Sequence, residues 1–176
     1  MSLLSRWLQK HLRARPYSPR QLLRLLRWYP PMLFQRIIPL SISDDLLTIH
    51  IKVRPSLLTR NLNGSTFGGT LLAAVDAWYG TLLWQKCLHE GIPLEVWVER
   101  LEMRFLKASR GNVYGTFSIS PAQWAEIKAG LTTEGKIRYE FSFELYNQEG
   151  EVCASGSQVL YLRNLALRPR KALSLS

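Results

Sequence analysis

The chain is poor in the residues that build metal and disulfide sites: of 176 residues only two are cysteine and three histidine. Cys87 and Cys153 lie in unrelated segments with no CxxC partner, which excludes a structural zinc site, argues against a disulfide scaffold and suits a reducing compartment. His11, His50 and His89 are dispersed, without an HExxH or paired His/Asp spacing, so no protein metal site is expected. Apolar runs of the ~20 residues a spanning helix needs are also missing. Acids are absent from both ends. Residues 1–36 hold eight Lys/Arg and residues 163–176 hold four, leaving eleven basic residues against all thirteen acids in between, a net −2. The net charge of +10 thus belongs to the termini, whereas a nucleic-acid domain carries its basic stripe on the folded body. Nucleic acid is therefore not an expected partner.

What is present is an ordinary globular composition, 47% hydrophobic and 20% charged, at a length that suits one domain with a substantial core. The first 15 residues set Leu3, Leu4, Trp7, Leu8 and Leu12 at helical spacing, opposite Arg6, Lys10 and Arg13. Three readings are open: a basic amphipathic helix on an anionic membrane surface, a transit peptide, or a helix packed on its own domain or a partner subunit. The first predicts a cytoplasmic protein peripheral to the inner membrane surface. Ser18-Pro19 then opens a second helix by capping chemistry. Its leucines (Leu22, Leu23, Leu25, Leu26) should cover the core and its arginines (Arg20, Arg24, Arg27) face solvent, until Pro30-Pro31 ends it.

From Leu47 the residues alternate, Ile49, Ile51 and Val53 inward against His50, Lys52 and Arg54, a half-buried strand with His50 on its solvated side. A turn-rich loop from Asn61 leads to Phe67-Gly68-Gly69 and then to an apolar helix running to about Lys86. Four further strand-like stretches follow, over about 95–106, 112–120, 136–146 and 151–163, with a helical insert after Pro121. The expected class is α+β, a five-stranded antiparallel sheet wrapped around one central helix, the later strands forming a meander. The expected division is a basic helical segment (1–36), the main domain (37–163) and a basic tail (164–176).

One constellation carries chemistry. Asp76 sits in the apolar helix, where a carboxylate costs several kcal/mol unless paired or facing a wet cavity. Gly69, Ala73, Asp76 and Gly80 form a stripe with little side-chain bulk, leaving space for another backbone or for a substrate. Close helix packing across a dimer is the competing explanation. Phe67-Gly68-Gly69 places unencumbered N–H groups at a positive helix end, about 10 Å along the axis from the carboxylate. Glu95, Glu99 and Glu102 alternate with Arg100 and Arg104 and read as surface ion pairs, with 95 and 99 on a face that 102 does not share. The serines have no companion His/Asp arrangement. Lys107 and Arg110 flank a turn and are either exposed basic residues or contacts for phosphates.

The segment from Asn61 through Gly64, Phe67, Gly68 and Gly69 to Asp76 resembles the catalytic loop and helix of hotdog-fold acyl-CoA thioesterases of the phenylacetate-degradation type. It is closer still to a little-characterised branch of that superfamily defined only as a domain of unknown function. Tyr29-Pro30-Pro31, Val96-Trp97, Phe105-Leu106-Lys107 and Arg110-Gly111 are also similar to that branch, and the resemblance runs from about residue 22 to 163. It implies a homodimer or dimer of dimers, active sites at the dimer interface, and a coenzyme A or acyl-carrier thioester as substrate with no further cofactor. It also implies roles for residues: the Gly68 N–H, with Gly69 beside it, polarising the thioester carbonyl, Asp76 as nucleophile or general base, and Asn61 orienting thioester or water. Phe67 stands where the well-studied thioesterases often carry histidine, so a titrating side chain is lost there while the backbone donors stay. Phe67, Lys107 and Arg110 are the expected substrate contacts. A non-catalytic module that binds an acyl thioester or lipid is the alternative.

Overall fold

The computed structural model describes residues 15–169; the amphipathic pattern of the first segment and the end of the basic tail lie outside the described residues. The elements are α1 (Pro19–Arg27), α2 (Pro30–Phe34), β1 (Ile37–Ile42), β2 (Thr48–Val53), α3 (Gly68–Asp76), α4 (Trp78–His89), β3 (Leu94–Phe105), β4 (Val113–Ser118), α5 (Pro121–Thr133), β5 (Lys136–Asn147) and β6 (Val152–Asn164). The strands form one antiparallel sheet in the order β1-β2-β4-β5-β6-β3. It has six strands, not five, and only β4, β5 and β6 follow one another as a meander. β3 crosses to the far edge.

The extra strand is β1, which runs through Pro39. Proline cannot donate to a ladder and is confined to sheet edges and bulges, and β1 is both an edge strand and irregular between Pro39 and Ser41. Upstream, the Ser18 hydroxyl accepts from the Gln21 N–H and the Gln21 side chain accepts from the Ser18 N–H, a reciprocal capping box that fixes the start of α1. The helix stops at Arg27. Pro30 and Pro31 open α2 rather than ending α1, since a first-turn proline lacks only an N–H that would have no partner there. Leu22 and Leu26 of α1 are buried, and each such side chain is worth about 1.5–3 kcal/mol relative to an exposed one.

The central helical region is two helices, not one. It breaks at Ala77, and α4 continues to His89 with Trp78, Leu82, Leu83 and Cys87 fully buried. The sheet curls around α4, which packs against β2, β3 and β4. β4 and β5 pair only where Val113–Gly115 meets Leu145–Asn147, and then they diverge. Tyr79 fills the opening: its ring stacks on Phe141 at 4.2 Å, meets Phe117 edge-on at 5.4 Å, and its hydroxyl donates to the Ser142 carbonyl at 2.8 Å. Burial pushes the Tyr79 phenol up to about 12, so it donates at any ordinary pH.

β3 carries a bulge between Val98 and Arg100, which shifts the inward–outward alternation by one residue. Val96 therefore points inward with Leu101 and Met103, and Glu95 shares the outer face with Glu102, contrary to the alternation expected from the uninterrupted sequence. The acids of this strand are engaged in ion pairs, Glu95 with Arg163, Glu99 with Arg138 and Glu102 with Arg100. His50 lies on the outer face of β2 as expected, its Nδ1 2.8 Å from the Thr116 hydroxyl.

Candidate functional site

Asp76 is the last residue of α3, at the break, rather than in the middle of a continuous buried helix. Its main-chain carbonyl lacks a helical donor there and accepts instead from the Gln158 side-chain amide at 2.7 Å. Gln158 lies on the inner face of β6 and is fully buried, and its Oε1 has no hydrogen-bond partner among the described residues. Sequence reading missed Gln158. Its signal was a lone amide at an inward position of the strand pattern Gly156, Gln158, Leu160, Leu162.

The Asp76 carboxyl has no ion-pair or hydrogen-bond partner among the described residues. It opens onto a groove of about 330 Å³ whose walls are Leu22, Leu25, Leu26 and Tyr29 on the α1 side and Gly80, Trp84, Val96 and Val98 on the α4 and β3 side. The side chain is exposed at the mouth of this groove in a single chain. The apolar walls nonetheless displace enough water to hold its pKa above the ordinary carboxylate value of 3.8, desolvation being the cause. Of the small residues expected along this face, Gly80 lines the groove with Asp76, where an added Cβ would be in ordinary contact with Val96 at 3.5 Å, whereas Gly69 and Ala73 do not line it.

At the other end of α3, Phe67 is the N-cap without a side-chain cap, and its carbonyl accepts from Thr70 and Leu71. The N–H groups of Gly68 and Gly69 belong to the first turn, where a helix has no internal acceptors. Two half-exposed aromatic rings crowd this turn. A Cβ on Gly68 would lie 3.2 Å from Phe105 Cζ, and one on Gly69 would overlap the Phe67 ring. A side chain at either position would have to displace one of these rings.

Asn61 is turned into its own loop. Its Oδ1 accepts from the Asn63 and Ser65 N–H groups at 3.0 and 3.1 Å, and its Nδ2 donates to the Ser65 hydroxyl at 2.9 Å. That loop is tied to the helix start through Thr59, whose carbonyl accepts from Phe67 N–H, and through Thr66, whose N–H donates to the Ser109 carbonyl at 2.8 Å. The second of these bonds brings the 107–111 turn alongside the glycines. Arg110 on this turn is exposed, while Lys107 is engaged by Glu151 at 2.5 Å.

The structure thus gathers Asn61, Phe67, Gly68, Gly69 and the turn bearing Arg110 at the start of α3. Asp76 stands at its far end, about 12 Å along the axis, in a groove that none of them lines. Both cysteines are buried, and burial pushes the Cys87 thiol up to about 12, which removes it as a nucleophile. Among the described residues no group of three His, Cys, Asp or Glu side chains could hold a metal ion, and no helix is long and apolar enough to cross a membrane.

No protein-family profile matches the sequence, and no curated protein matches it. Solved structures do. A Pseudomonas aeruginosa protein of unknown function, described as a probable thioesterase, superposes with a TM-score of 0.74 at 16% identity over 85% of this chain and 97% of its own. A thioesterase from Haemophilus influenzae gives 0.60 at 17% identity over 86% and 94%. The protein of the phenylacetic acid degradation operon of Escherichia coli gives 0.54 at 14% identity over 76% and 88%. At these identities the likeness is one of fold, and the chain has the hotdog fold.

Proposed function

We propose that the protein is a thioester hydrolase acting on an acyl-CoA or acyl-carrier substrate, with Asp76 as the nucleophile or general base. The observation that carries this reading is an unpaired carboxylate, its pKa raised by desolvation, on the wall of an apolar groove. A carboxylate so placed is a stronger base than one in water and lies within reach of an acyl chain held in the groove. Hydrolysis also needs donors aimed at the anionic oxygen of the tetrahedral intermediate. The Gly68 and Gly69 N–H groups, at a turn bordered by the Phe67 and Phe105 rings, supply them. Asn61 acts by holding the loop that sets these donors, and Arg110 meets a phosphate of the substrate.

Donors and carboxylate lie at opposite ends of one helix, so this chemistry requires a second chain to bring the Asp76 of one copy to the glycine turn of the other. A homodimer is therefore part of the proposal. The proposed location is the cytoplasm, where coenzyme A thioesters are met. The Asp76→Asn variant, assayed over acyl-CoA chain lengths, tests it. Turnover should fall by orders of magnitude with the fold intact, and near-wild-type turnover throughout would exclude the assignment. The rings crowding Gly68 and Gly69 favour a second reading, a module that binds acyl thioester or lipid without cleaving it. Tight binding across the same panel with no hydrolysis by the wild-type chain would establish that one.

A further inference from the structure

The corner between α1, α2 and β2 is built unlike the rest of the surface. A groove of about 450 Å³ is walled by three arginines, Arg27, Arg36 and Arg54, with Trp28 and Leu33 at its rim and Ile37-Ile38 on its floor. No carboxylate answers these charges: every ion pair among the described residues lies between residues 86 and 163, and no acid precedes Asp44 in the sequence. Arg27 donates to the carbonyls of Pro39 and Leu40. The Nε of Arg36 is buried without any acceptor, and the Arg54 side chain is exposed. Unpaired guanidinium groups gathered in this way seek an oxyanion, and phosphate matches their donor geometry.

The apolar part identifies which phosphate. Trp28 is 76% exposed and Leu33 38%, side chains that would gain by leaving water. Trp28 also borders a second groove of about 490 Å³, with Arg15, Tyr17, Arg24, Leu25 and Tyr29 around it. An exposed tryptophan between arginines over an aliphatic floor is the composition of a membrane-interface anchor, the ring at headgroup level and the cations against anionic phosphates. The remaining 14 residues join the chain at this same corner, beside Arg15, and their sequence is itself basic and amphipathic.

We infer that the Arg36–Arg54–Trp28 corner is a docking site for an anionic phospholipid surface. Leu25 and Tyr29 also wall the Asp76 groove, so docking sets that groove beside the lipid. This consequence rests on the hydrolase reading; the docking does not, and its test reads binding alone.

The experiment is co-sedimentation of the full chain with vesicles of phosphatidylcholine, with and without phosphatidylglycerol. Binding should require the anionic lipid and weaken with salt. Arg36→Gln with Arg54→Gln should reduce it about thirtyfold, at the strength each basic residue has near an anionic leaflet. Trp28→Ser with Leu33→Ser should reduce it by about tenfold or more. Arg54→Gln and Trp28→Ser alone change exposed side chains and leave the melting temperature in place, so a partial loss in each singly keeps the test independent of folding. Unchanged binding in all four variants would overturn the proposal by assigning attachment to residues 1–14. Release by free coenzyme A, or retention on nucleic acid with no vesicle binding, would overturn it by giving the arginines another ligand.

Discussion

Asp76 is held in place by Gln158 through its main-chain carbonyl, while its carboxyl is left without a partner. Because the folded chain raises the Asp76 pKa, it holds that proton more firmly than the unfolded chain does, and ionisation costs folding free energy. The cost is absent below the unfolded pKa and complete above the folded one. Asp76→Asn should therefore leave the melting temperature at neutral pH unchanged or slightly higher while turnover collapses; a parallel loss of both would mark Asp76 as structural. In the wild type, kcat/KM should fall as pH is lowered through a midpoint above 3.8, since the ionised form is the active one. Gln158→Met removes the bond to the Asp76 carbonyl but also the unpartnered Oε1. These effects offset, so stability should change by no more than about 1 kcal/mol. Activity should fall much further, because the end of α3 loses the group that holds it. Urea unfolding alongside steady-state kinetics separates the two.

At the scale of elements, chemistry that is local in sequence was legible and chemistry that is not was hidden. Ser18-Pro19 announced α1, and Ser120-Pro121 announces α5 by the same device, with the Ser120 hydroxyl accepting from Gln123 N–H and the Gln123 side chain answering. Ser120→Ala should cost about 1 kcal/mol, read as a shift in the denaturation midpoint at unchanged slope. A cost near zero would mean that packing of Trp124, Ile127 and Leu131 alone fixes that helix. β1 was hidden because Pro39 argues against a strand unless its edge position is known, and that position is a property of the whole sheet. The break at Ala77 was hidden for a similar reason: the helical pattern runs on from Leu71 to Leu83, while at the break the Ala74 carbonyl accepts from the Trp78 indole N–H and the Asp76 carbonyl from the Gln158 amide, 82 residues away. The candidate site divides in the same way. The glycine turn and Asp76 could be found from composition and spacing, whereas their separation into two surroundings depends on the curl of the sheet.

The two edges of the sheet differ in a manner that bears on assembly. β1 is short, kinked at Pro39 and flanked by α1 and α2, the protections that keep an edge strand from pairing. β3 is twelve residues long, occupies the opposite edge, and exposes Trp97, Val98 and Phe105 along its length. A long edge with apolar side chains is a template for a further strand, and in a homodimer the first candidate is the β3 of a second copy, by a two-fold axis that extends the sheet across both chains. The Asp76 groove strengthens the argument, since Val96 and Val98 of β3 line it and a second chain at that edge would stand beside it. We therefore expect a homodimer at micromolar concentration by sedimentation equilibrium. Replacing Trp97 by lysine, an exposed change on β3 away from the Asp76 groove and the glycine turn, should leave the monomer folded, shift the mass toward the monomer and abolish turnover in step. A wild-type chain that is monomeric and active would show that one copy completes the site, and the separation of Gly68 from Asp76 along α3 would then need a substrate long enough to span it.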